Sequence, residues 1–181
     1  MTSERLEWST ITDRRSAAVL QSFTCTVERP RTPAGRRLPH PVPWEWEAQA
    51  LLRNASHRMR VGDELVVGRV PGEDVIAAGA WLEFHELEVH EVGMPAVYIT
   101  SSGVHVAHRG CGGHLADELV DRVIRRCRAV IDPSGAPSGI VHGKVHVRNV
   151  SCENLLLRHG FEPVGLPEST YQEWALLVDR A

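Results

Sequence analysis

The chain has 181 residues, 43% of them hydrophobic and 24% charged, with a formal net charge of −3. These values sit near globular averages and exclude a disordered or fibrous chain, and the slight acidic excess gives no general attraction to phosphate backbones. No run reaches the roughly 20 apolar residues that cross a bilayer, and the start lacks an export pattern. The expectation is a cytoplasmic protein folding as one domain over residues 1–181, with no membrane or nucleic-acid partner.

In chain order, Leu6 to Ile11 predicts an opening strand, and Thr12 or Asp13 supplies a side-chain oxygen to cap a helix over Arg14 to Phe23. Glu28 to Pro43 places Arg29, Arg31, Arg36 and Arg37 among prolines and reads as a stiffened, exposed insertion. Long insertions in compact domains are usually functional or disordered, and this one is expected over or beside a substrate site. Pro43 suits the first position of a helix that Trp44 to Arg53 continue. Leu65 to Val70 and Asp74 to His85 predict two antiparallel strands joined at Pro71-Gly72. After punctuation at Gly93 and Pro95, Ala96 to Val106 resumes a strand, interrupted at Ser101-Ser102-Gly103.

From Gly112 the period becomes helical, with Leu115, Leu119, Val123, Cys127 and Val130 on one face and a stop near Asp132-Pro133. Gly139 to Val147 predicts a strand, Ser151 to His159 a helix ended by Gly160, and Phe161 to Val164 and Tyr171 to Val178 two closing strands. The fold class is α/β with a mixed sheet. Cys25, Cys111, Cys127 and Cys152 form no CxxC pair and are expected as free thiols. His85 and His90, or His105 and His108, are not joined by the HxxxH-on-a-helix or HExxH arrangements that place ligands on one face, so no metal site is expected.

The sharpest local feature is Val104-His105-Val106-Ala107-His108-Arg109-Gly110-Cys111-Gly112-Gly113, between a strand and a long amphipathic helix. Glycines let backbone approach a ligand closely, and the amides and partial positive charge at a helix start favour a pyrophosphate. The same residues also suit a plain strand-to-helix turn. Cys111 and Cys152 each precede or begin a helix, but neither has an identifiable histidine partner for covalent catalysis.

Ala107-His108-Arg109-Gly110-Cys111-Gly112 resembles the Gln/Arg-x-x-Gly-x-Gly/Ala segment of the GNAT superfamily of N-acetyltransferases, and Asn149 to Phe161 resembles that family's Asn-led helix ending in Gly-Phe. The resemblance covers Glu64 to Val178 and leaves Glu28 to Pro43 without a counterpart. It implies the GNAT acyl-CoA N-acyltransferase fold, a mostly antiparallel sheet flanked by helices. It also implies acetyl transfer from acetyl-CoA to a primary amine of a small molecule or protein. Acetyl-CoA is then expected along Val104, His105 and Val106, at Arg109, Gly110, Cys111, Gly112, Gly113 and His114, and at Asn149. Backbone amides over Ser101 to Val104 would polarise the thioester carbonyl. Members of the family often form homodimers.

Two positions depart from the family pattern. Ala107 replaces the usual Gln or Arg, and Leu156 stands where many members have the Tyr that protonates the departing thiolate. The expected base is Glu83, Glu86 or a water chain, and the expected acid is Tyr171. Trp44 and Trp46 either line the acceptor site or pack in the core. A non-catalytic acyl-CoA sensor, and less readily a toxin-type aminoacyl-tRNA acetyltransferase, are the alternatives.

Overall fold

The computed structural model describes residues 6–89, 92–110 and 113–180. In chain order the elements are β1 (Glu7–Ile11), a 3-10 turn (Ser16–Ser22), α1 (Pro43–Arg53), α2 (Ala55–Arg58), β2 (Glu64–Arg69), β3 (Ile76–Val89) and β4 (Val92–Val104). A second 3-10 turn (Val106–His108), α3 (His114–Ser134), β5 (Ser138–His146), α4 (Val150–Arg158), β6 (Glu162–Glu168) and β7 (Tyr171–Asp179) follow. The strands form a seven-stranded sheet ordered β1-β2-β3-β4-β5-β7-β6. Every pairing is antiparallel except β4 with β5, whose parallel register requires the crossover that α3 supplies.

The central strands bury both faces. Val66, Leu82, Val97 and Val141 pack against Leu119, Val123, Cys127 and Ile131 of α3, with Leu156 of α4 in the same layer. On the other face Leu65, Val67, Ile76 and Trp81 meet Leu20, Phe23, Leu52 and Met59. The result is helix, sheet and helix in three layers. Among the described residues no helix is long and apolar enough to cross a membrane.

Several elements differ from their sequence expectation. The helix expected over Arg14 to Phe23 is a 3-10 turn: Asp13 Oδ1 does accept the Ser16 amide at 2.9 Å, but Ala17, Leu20 and Phe23 are the residues buried. Their spacing of three matches the 3-10 repeat rather than the α repeat. Gly93 and Pro95 do not interrupt the hairpin, because β3 and β4 pair from Val89↔Val92 through Ala78↔Val104. The interruption lies at one residue: Trp81 pairs with Ser101 and Leu82 with Ile99, which leaves Thr100 as a bulge. Helix α3 runs through Pro133 to Ser134 and ends at Gly135 with φ 74°, a left-handed cap. Its buried stripe closes on Ile131 rather than Val130.

Gly139 marks where α3 lies tightest on the sheet. A Cβ there would sit 2.7 Å from Ile131 Cγ1 and 2.8 Å from the Pro95 carbonyl oxygen. The second contact is backbone and cannot swing aside. Gly139→Ala is expected to cost about 1–3 kcal/mol of stability through overpacking, read as a lower denaturant midpoint with unchanged slope.

Candidate active site

Strands β4 and β5 pair only over Ala96–Ile99 and Ile140–Gly143. Gly143 sits at the point of separation, where a Cβ would come 3.3 Å from the Ile99 oxygen. Beyond it the strands part, and a cleft of about 790 Å³ opens between Thr100 to Val104 and Lys144 to His146. That volume falls in the range of ligand sites. The cleft passes from the α3 and α4 side of the sheet to the α1 side, and three groups of residues shape it.

On the first side stands the start of α3. Gly113, with φ 84°, occupies the N-cap and offers no side chain to the first-turn amides. Arg158 reaches this end from α4, its Nη2 donating to Asp117 Oδ1 at 2.8 Å, and His159 Nε2 meets the same oxygen at 3.1 Å. Burial raises the Asp117 pKa, but these two partners outweigh it and hold the carboxyl below its usual value. Trp174 lies deeper in the cleft, buried, and its indole N–H has no partner among the described residues.

On the second side is α1, held by polar contacts. Gln49 Oε1 accepts the amides of Cys25 at 2.8 Å and Thr26 at 3.2 Å. Glu45 accepts from Thr26 Oγ1 at 2.8 Å and from Arg109 Nη1 at 2.7 Å. Helix α1 is thereby tied to the loop leading into α3. Trp44, Glu47, Ala48 and Leu51 then form a stripe along the cleft at the i, i+3, i+4, i+7 spacing of one helix face.

The third group is aromatic and acidic. Trp44 stacks on His146 with ring centroids 4.5 Å apart, and Tyr171 meets His146 edge-on at 5.3 Å. The Tyr171 hydroxyl donates to Glu47 Oε2. Burial first, and the Glu47 carboxylate second, push the phenol up to about 12, so Tyr171 remains protonated across the neutral range.

The sequence-predicted residues divide accordingly. Val104, Arg109, Gly110, Gly113, His114, Asn149 and Tyr171 line the cleft. Cys111 and Gly112 lie outside the described residues. His105 and Val106 are turned to structural use: their amides donate to Ala77 and Thr24 carbonyls at 2.7 and 2.8 Å, which extends the sheet edge. The Arg109 side chain faces Glu45 and the Val104 carbonyl, and Asn149 Oδ1 accepts the Cys152 amide as the cap of α4. Glu83 accepts from Thr100 Oγ1 at 2.8 Å, which places it behind the cleft wall. Glu86 is brought to a separate shallow depression beside Gly93, because the unbroken hairpin carries it beyond the reach of α1.

Glu47 was missed in the sequence, although its place within the Trp44-to-Leu51 stripe is a signal that an acid shares the cleft-lining face of α1. Among the described residues of the 28–43 insertion, none lines the cleft. They pack instead on Trp46: His40 stacks on it at 5.5 Å and the Arg29 guanidinium lies 5.2 Å from its ring centroid. Trp46 is two residues past Trp44 and so points away from the cleft. His40 also closes the loop's base, with Nε2 donating to the Val27 carbonyl at 2.8 Å and Nδ1 accepting the Val42 amide at 3.0 Å.

The overall fold is similar to that of several solved structures. A chain of the KacTA–DNA complex superposes with a TM-score of 0.62 at 16% identity, over 96% of this chain and 93% of that one. A mutant form of the AtaT toxin, bound to the C-terminus of the antitoxin AtaR and acetyl-CoA, gives 0.56 at 14%, over 93% and 91%. An acetyltransferase of the GNAT family from Streptococcus pneumoniae gives 0.53 at 17%, over 95% and 99%. The fold is that of the GNAT acetyltransferases. No protein-family model and no curated protein matches the chain.

Within this GNAT fold, Cys25 and Cys152 line the cleft and Cys127 lies on the buried face of α3, and burial pushes each thiol up to about 11. Thiolate is the reactive form. At pH 8 these three positions in the folded protein should alkylate on the order of 10² times more slowly than an ordinary thiol of pKa about 8.5, measured peptide by peptide by mass spectrometry.

Proposed function

We propose that the chain is an N-acetyltransferase that uses acetyl-CoA as donor and a primary amine as acceptor. The observation that carries this reading is the single cleft running from the start of α3, through the β4–β5 gap, to the Glu47–Tyr171 pair. The residues present fit the donor. The amides at Gly113 and the glycine loop, with Arg158 beside them, suit a pyrophosphate, and the unpartnered Trp174 N–H suits a carbonyl of an extended chain lying in the gap. The acetyl-CoA held by the AtaT structure supports the same assignment.

When bound, acetyl-CoA supplies an activated acetyl group. The chain's residues must then polarise the carbonyl and move one proton from the amine to the leaving sulfur. Backbone amides within Ser101 to Val104 that point away from β3, toward the gap where β5 departs, meet the first need with fixed dipoles. Glu47 and Tyr171 meet the second: as Tyr171 Oη accepts a proton from the attacking nitrogen, its own proton passes to Glu47, and the reverse shift delivers that proton to sulfur. The phenol is never ionised in this relay, which suits a group held at about 12. Leu156 is packed in the core and has no proton to give.

General acid–base assistance is worth roughly 10² to 10⁴ in rate. Glu47→Gln and Tyr171→Phe should each lower kcat by about that factor with acetyl-CoA affinity intact, and the double variant should be little worse than either because the two act as a unit. Full kcat in Tyr171→Phe would remove the relay. Acetyl-CoA binding without turnover of any amine would replace the enzyme by a sensor.

Gly110, with φ 82° and open space where a Cβ would stand, allows a test of donor placement. Asn tolerates the left-handed region and Glu adds charge. Gly110→Asn should keep acetyl-CoA affinity within a few-fold, while Gly110→Glu should lower it by more than about tenfold through repulsion at the phosphates. Equal affinities, by calorimetry, would place the pyrophosphate elsewhere.

A further inference from the structure

His85 on β3 and His142 on β5 stand on either side of β4, opposite Ala96 and Tyr98 respectively. They project from the sheet face on which α1 lies, where Ser101 Oγ donates to the Ala48 carbonyl and Trp44 stacks on His146. Both rings lean over β4 until their Nε2 atoms are 3.1 Å apart. The other nitrogen of His142, Nδ1, lies 3.0 Å from Glu173 Oε1. A carboxylate there accepts the Nδ1–H and leaves the Nε2 lone pair directed at His85. Tyr98, the β4 residue paired with His142, packs on its ring with centroids 5.1 Å apart, and the His142 side chain is only 12% exposed. One imidazole is therefore fixed in tautomer and orientation, and the second stands free to complete a pair.

Two imidazoles on one tetrahedral ion, with bonds of about 2.0–2.1 Å, hold their nitrogens roughly 3.4 Å apart. The observed separation is within a few tenths of an ångström of that value. A carboxylate behind a ligating imidazole is the arrangement that orients the ring and raises its basicity. We propose that His85 and His142 bind a divalent transition-metal ion such as Zn²⁺ through their Nε2 atoms, with Glu173 positioning His142. Among the described residues no three His, Cys, Asp or Glu groups converge on one point, so water or a donor from another molecule fills the remaining positions. Imidazole donors select Zn²⁺, Ni²⁺ or Cu²⁺ over Mg²⁺ and Ca²⁺. The ligands are 57 residues apart, which is why no sequence spacing announces them. Lys144, which lines the cleft, is two residues along β5 from His142, a rise of about 7 Å. The ion thus lies on the acceptor face but outside the Glu47–Tyr171 relay, and its binding stands independently of the proposed acetyl transfer.

The test is calorimetric titration of the full chain with Zn²⁺ alone, beside His85→Ala, His142→Ala and Glu173→Gln. Thermal unfolding checks that each variant is folded. The wild type should bind one ion that both histidine variants lose. Glu173→Gln should keep the stoichiometry and weaken affinity by about 10- to 100-fold. Mg²⁺ should give no heat at the same concentrations. Absence of Zn²⁺ binding by the wild type would overturn the site, as would an isotherm unchanged in either histidine variant.

Discussion

A sheet interior does not tolerate unpaired backbone, because each lost hydrogen bond in a water-poor environment costs on the order of 1–3 kcal/mol. Parting β4 from β5 after Ile99 creates such edges in the middle of the sheet, and the surrounding structure answers that constraint. The bulge at Thr100 turns β4 aside while keeping it paired to β3. Gly143 lets the strands meet closely up to the point of separation. The edges that remain face a cavity rather than packed side chains, and the start of α3 and the polar face of α1 are brought to its two mouths.

Glu45 links those mouths. By accepting from both Thr26 and Arg109, it joins α1, the segment after the first 3-10 turn and the loop before α3. The Arg109–Glu45 pair is partly exposed, with 38% and 25% of the side chains accessible, so its direct contribution to stability is small. Its effect is geometric: it fixes where the Trp44-to-Leu51 stripe stands relative to the gap. The buried Gln49, bonded to two consecutive amides, does the same from inside.

What was legible in the sequence follows from which interactions are local. Periodic apolar spacing located α3, Pro43 and the helix formers after it located α1, β-branched and apolar runs located the central strands, and Gly160 marked the end of α4; the glycine-bearing turn before α3 was read from residue types, and Asn149 from the family resemblance. The 3-10 turn was missed because its burial repeat of three spans only Ala17, Leu20 and Phe23, too short a run to separate from an α repeat. The hairpin was misjudged at Gly93 because that glycine makes room for the Glu86 side chain, a cross-strand fact. The same non-locality explains the site. Glu47 and Tyr171 are 124 residues apart, and only the fold reveals that the phenol donates to that carboxylate, whereas Glu86, one of the two carboxylates expected as the base, is carried away by a strand that did not stop.

The neck formed by His40 has a consequence for how the chain accommodates change. Val27 and Val42 are held together through one imidazole, so the excursion between them is already closed at its base. Closure entropy grows only with the logarithm of loop length, about 0.6 kcal/mol per doubling. Lengthening, shortening or rewriting the arginine-bearing hairpin therefore leaves the enclosing domain nearly untouched, and its variation is felt mainly through Trp46. The segment behaves as an appendage on a hasp, its changes stopping at the His40 neck.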